Sequence, residues 1–140
     1  MAEKMDMDGK TPLISAALYG DIETVRCLLD SGANIKARDV FGRTPLIAAT
    51  ATWKGPMHCT VEIVRLLLDH GADVNAQNKK GRTALMEALA HRDFTRQQEL
   101  VELLVSRGAD IRLKDTNGVT AVQMATDSQA ALLKGVGSRQ

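Results

Sequence analysis

Four times in 140 residues the chain spells the same eight-residue phrase, Asp/Asn-x-x-Gly-x-Thr-(Pro/Ala)-(Leu/Val), beginning at Asp6, Asp39, Asn78 and Asp115. A second phrase, Gly-Ala-(Asn/Asp)-(Ile/Val), follows the first three at Gly32, Gly71 and Gly108. Both recur in register, so the chain reads as a series of like supersecondary units rather than one fold around a unique core. A unit of this size cannot bury its apolar side alone. Stacking on its neighbours does that, and stability becomes a sum of unit and interface contributions.

Each unit encodes two short helices. Thr11, Thr44, Thr83 and Thr120 stand where a hydroxyl accepts a hydrogen bond from a free amide of the first helical turn. Pro12 and Pro45 follow, at a place where no amide hydrogen is needed. Small residues come next (Ala16 and Ala17, Ala49 and Thr50, Ala88 and Leu89, Ala125 and Thr126) and predict close approach of the first helices. The second helix carries Val25, Leu28 and Leu29, then Val64, Leu67 and Leu68, then Val101, Leu104 and Val105, the i, i+3, i+4 spacing of one apolar stripe. Gly32, Gly71 and Gly108 lie just past these stripes, as a glycine that ends a helix in the left-handed conformation would. Gly9, Gly42, Gly81 and Gly118 predict β-turns or short hairpins between units, with the preceding Asp or Asn bonding local backbone.

The unit length is uneven. Successive turn glycines are 33, 39 and 37 residues apart. Pro45 to Glu62 spans 17 positions and Ala84 to Glu99 spans 15, where Pro12 to Glu23 spans 11, so the second and third units hold insertions of six and four residues near 51–60 and 91–97. Lengthened connections of a solenoid map to one face, often the binding face. They also argue against an idealised designed array.

A period near 33 residues marked by Thr-Pro-Leu and Gly-Ala-Asp resembles the ankyrin repeat over roughly residues 6–134. The resemblance implies an all-α repeat fold (an α-solenoid) of helix-turn-helix units with β-turn or hairpin connections. It divides the chain into an N-terminal tail (1–5), repeats at about 6–38, 39–77 and 78–114, a cap at 115–134 and a disordered tail (135–140). The start at Met1 and the tapering last unit point to a free-standing protein. One departure stands out: the family commonly has histidine after Thr-Pro-Leu, and this chain has Ile14, Ile47, Met86 and Gln123 there. Apolar contact is expected to replace the polar bridge in the first three.

Composition removes several function classes. A net charge of +1 gives no global field for nucleic acid or membrane, and no apolar run approaches membrane length. The first residues lack the apolar core of a signal peptide. Cys27 and Cys59 form no disulfide framework, which points to a reducing, cytoplasmic setting. Cys27 shares its slot with Leu66 and Leu103 and is expected to face the core. No nucleophile elbow, phosphate-cradling glycine loop or motif-placed Cys–His–carboxylate set is present, and His58, Cys59, His70 and His91 lack zinc-site spacing. No catalytic, cofactor or metal residue is assigned, and the chain is expected to be no enzyme.

By the resemblance, partners bind along the groove of hairpin tips and first helices. Carried onto this chain, that gives Lys10, Arg38, Val40, Phe41, Arg43, Lys79, Lys80, Arg82 and Asn117 at the tips and Leu18, Tyr19 and His91 at first-helix ends, with Trp53 and Phe94 in the insertions. The four aromatics (Tyr19, Phe41, Trp53, Phe94) avoid every core stripe, and aromatics dominate interface hot spots. Ten of the 18 Lys and Arg fall in the hairpin segments. This is either a solvated face or a mildly basic rim suited to an acidic partner segment. The expectation is a monomeric module that binds another protein. Two alternatives stay open: a regulatory or inhibitory subunit of an enzyme, and a small-molecule or metal binder around Trp53, His58 and Cys59.

Overall fold

A computed structural model describes residues 7, 9–51, 57–90 and 94–124, with 51, 57–59 and 94–97 by backbone alone. Among these residues the chain is helical: α1 (Pro12–Tyr19), α2 (Ile22–Asp30), α3 (Pro45–Ala51), α4 (Met57–Asp69), α5 (Ala84–Leu89), α6 (Phe94–Ser106) and α7 (Ala121–Met124). Helices α1, α3, α5 and α7 pack in sequence as one layer, and α2, α4 and α6 as a second. Each of the first three units contributes one helix to either layer. The expected all-α solenoid is the observed architecture.

The capping chemistry is the same in every unit. The hydroxyls of Thr11, Thr44, Thr83 and Thr120 accept the amides of Ile14, Ile47, Met86 and Gln123, each at 3.3 Å. In the fourth unit Gln123 Oε1 also accepts the Thr120 amide at 2.8 Å, completing a reciprocal capping box. The other three residues at that position, Ile14, Ile47 and Met86, are fully buried in the core. Asp21 caps α2 in the same way, accepting the Thr24 amide and hydroxyl. These two bonds hold the Asp21 carboxyl below its ordinary pKa of 3.8, opposed by slight desolvation.

At their C-terminal ends α2, α4 and α6 close alike. The amides of Ala33, Ala72 and Ala109 reach back to Leu28, Leu67 and Leu104, while Gly32, Gly71 and Gly108 bond Leu29, Leu68 and Val105, which is the two-bond Schellman pattern. Gly20 does the same after α1, a helix end the sequence reading left unmarked.

The second-helix stripes are buried largely as expected, and a fully enclosed side chain such as Leu67 contributes about 1.5–3 kcal/mol by leaving water. Cys27 is a correction: it is exposed. At 100° per residue it lies about 200° from Val25 and from Leu29, so it points away from the stripe those two define. Its counterparts Leu66 and Leu103 are only half-buried.

The insertions also take an unexpected form. Helices α4 and α6 each have 13 residues against nine in α2. The motifs at their C-terminal ends align, so four residues of each insertion, 57–60 and 94–97, are an added N-terminal helical turn rather than loop.

Candidate functional site

The connections between units form a row of turns. In three of them one acidic or amide side chain organises the backbone. Asp39 Oδ1 accepts the amides of Phe41 and Arg43, Asn78 Oδ1 those of Lys80 and Arg82, and Asp115 Oδ1 those of Asn117 and Val119, all at 2.8–3.0 Å. Gly42, Gly81 and Gly118 close each β-turn with an amide bond to residue i−3 and take φ of +76°, +74° and +77°. Beyond a short bridge between Lys114 and Thr120, these turns carry no extended ladder among the described residues.

Each turn lies against the next. The Lys79 amide donates to the Phe41 carbonyl at 3.0 Å, and the Thr116 amide to the Lys80 carbonyl at 2.8 Å. The approach is so close that a Cβ on Gly42 would sit 2.8 Å from the Lys79 nitrogen, and one on Gly81 2.9 Å from Asp115 Cα. Glycine is therefore required there twice, for its positive φ and for its missing side chain. Side chains reinforce the row. Arg38 donates to the carbonyls of Gly42 and Gln77, and Gln77 in turn donates to those of Gly81 and Lys114. Asn75 makes a parallel bridge between the post-α4 and post-α6 turns, bonding the Gly108 carbonyl and the Asp110 amide.

The tip residues named from sequence divide into two groups. Several are committed inside the chain. Arg38 is a bridge between units. Arg43 pairs with Asp39 at 2.6 Å, the Asp39 side chain being fully enclosed, and its guanidinium lies 5.0 Å from the centre of the Phe41 ring. Arg82 Nε is buried 3.4 Å from Glu87 Oε1, without hydrogen-bond geometry. Leu18 is half-buried against the core, and Lys10 is half-buried beside the first cap.

The others face solvent. Tyr19 ends α1 at 55% exposure, and Val40 and Phe41 form the second turn's tip at 46% and 53%. Lys79 and Lys80 form the third tip and Asn117 belongs to the fourth, all exposed. Met7, in the first turn, is fully exposed. The two lysine side chains have no ion pair among the described residues. Trp53, His91 and the side chains of Phe94, His58 and Cys59 lie outside the described residues. Among the described residues no three His, Cys, Asp or Glu side chains converge as a metal site, and no helix is long and apolar enough to cross a membrane.

Sequence reasoning missed the bridging roles of Gln77 and Asn75. The signal for Gln77 is positional: it occupies the register of Arg38 and Lys114, one residue before each Asx turn.

The profile for ankyrin repeats (3 copies) matches residues 1–78, 41–115 and 57–134. The chain belongs to the ankyrin-repeat family. Among curated proteins it is similar to human Rabankyrin-5, with 49% identity over 53 residues that make up 38% of this chain and 4% of that protein. It is also similar to the serine/threonine-protein kinase VIK of Arabidopsis thaliana (44% over 52 residues, 37% of this chain and 12% of the kinase). A third relative is the DNA replication inhibitor plutonium of Drosophila melanogaster (46% over 48 residues, 34% of this chain and 28% of that protein). The matched stretches are a small part of these relatives' length. The names of these relatives differ, as expected when function lies in sites grafted on a common scaffold. Ankyrin repeats are generally protein–protein interaction modules and typically not enzymatic.

Proposed function

We propose that this ankyrin-repeat array, three repeats and a C-terminal cap over residues 6–134, is a non-enzymatic cytoplasmic module that binds another protein along its turn tips and first-helix ends. One observation carries the reading. Val40 and Phe41 hold apolar surface in solvent on a turn whose backbone is tied by Asp39 on one side and by Lys79 on the other. A solvent-facing aromatic on a mobile loop would lose much of its binding energy to ordering. On a pre-ordered turn that cost is already met by folding. Tyr19, at the end of α1, adds a second exposed aromatic.

The test is the double variant Phe41→Ala, Tyr19→Ala used as bait against native cell extract, beside the parent. Proteins held by the parent should be lost by the variant, while chemical unfolding stays within about 1 kcal/mol of the parent, as for surface changes generally. Undiminished capture by the folded double variant removes the assignment of this face.

A further inference from the structure

The turn tips change chemistry along the array, and that order limits what can lie on them. Val40 and Phe41 are apolar, Lys79 and Lys80 are cationic, and Thr116 and Asn117 are neutral and polar. The cationic character is narrower than the sequence count implied, because Arg38 and Arg43 are engaged within the chain and Arg82 stands beside Glu87. What remains at the centre of the row is a lysine pair directly beside an apolar pair. The Lys79 amide is bonded to the Phe41 carbonyl, and Lys79 Cγ lies 3.1 Å from where a Cβ on Gly42 would be. The base of the lysine stem therefore lies against the neighbouring turn.

We infer that this ridge takes an extended segment of a partner protein in which an apolar side chain is separated by about three residues from a pair of carboxylates. The inference rests on the protein-binding reading above and adds the partner's chemistry. The apolar residue covers Val40 and Phe41, and the carboxylates meet Lys79 and Lys80. The spacing follows from the step between stacked helices, about 8–10 Å, divided by about 3.3 Å per residue of extended chain. Nucleic acid would also supply anions for the lysines. It fits less well, because a net charge of +1 lacks the broad basic footprint of a nucleic-acid binder.

The experiment is selection of a displayed library of random twelve-residue peptides on the full chain. Binding of the enriched peptides is then measured to the parent, to Lys79→Glu with Lys80→Glu, to Lys79→Gln with Lys80→Gln, and to Phe41→Ala. A single-stranded twelve-nucleotide RNA serves as a further probe. Enriched peptides should share an apolar residue about three positions from an acidic pair. Charge reversal should weaken them at least tenfold, about 1.4 kcal/mol, with the glutamine variant in between and all variants folded by circular dichroism. Peptides that need Phe41 but carry no acidic pair and ignore the lysine changes overturn this inference and leave the proposed function standing. Peptides indifferent to both sets of changes count against both. A library that yields no binder overturns the linear-segment inference. RNA binding tighter than any peptide and abolished by Lys79→Glu with Lys80→Glu overturns it in favour of nucleic acid.

Discussion

The Phe41 carbonyl accepts the Lys79 amide hydrogen at 3.0 Å, which fastens the turn that carries the exposed aromatic to the backbone of the next. The same relation recurs between Lys80 and Thr116. Turns between repeats are therefore not independent loops on a helical scaffold. They form a hydrogen-bonded row whose order depends on the helices beneath being stacked, and whose solvent side carries the residues proposed to bind.

Close approach of the turns makes their glycines unequal. Gly118→Ala places a side chain in open space and meets only the left-handed backbone strain, about 1–2 kcal/mol. Gly42→Ala meets the same strain and also drives a Cβ toward the Lys79 nitrogen, adding roughly 1–3 kcal/mol. Urea unfolding of the two variants should separate them in that order. Equal losses would show that the turns are not in contact.

Asp39 holds its turn from a fully enclosed position, accepting two amides and the Arg43 guanidinium. Asp39→Ala should cost about 3 kcal/mol, since it strips one partner from a largely buried pair. Asp39→Asn keeps the acceptor for both amides, as Asn78 does in the third turn, but sets an amide donor against Arg43 Nε, so it should recover only about 1 kcal/mol of that loss. Thermal unfolding of both variants checks the ratio.

Asp21 supplies a pH dependence. Its folded pKa lies below the ordinary 3.8 because the carboxylate accepts the Thr24 hydroxyl and amide. The unfolded chain therefore binds the proton more readily. The stabilisation is complete well above pH 3.8 and is lost as pH falls through the lower folded value. Asp21→Ala should unfold at a lower temperature than the parent at pH 7, and the gap should narrow below pH 3. A gap constant with pH would place the effect elsewhere.

Much of this was legible in the repeat itself. Thr11, Thr44, Thr83 and Thr120 cap as their position predicts, the turn glycines take positive φ, and Tyr19 and Phe41 stay outside the core. These are local consequences of one residue's chemistry, and repetition verifies them. Cys27 shares its slot with Leu66 and Leu103, but the 3.6-residue period turns that slot off the stripe, so a common slot does not imply a core position. The helical form of part of each insertion was hidden because length alone does not distinguish loop from an extra turn. Least visible were the contacts between units. That Arg38 reaches Gln77 depends on how the units stack, which no single repeat encodes. Lys79 and Lys80 carry no ion pair among the described residues, while Arg43 and Arg82 stand beside acids.

On this view the ridge is ordered before any partner arrives. The decisive experiment is amide hydrogen exchange on the free protein, read at Lys79 and Thr116. Both are exposed turn residues, yet their amides should exchange as slowly as those of α4, because freeing them requires neighbouring repeats to part. Exchange at the rate of an open loop would mean that the turns do not stack in solution and that no preformed surface is there to bind.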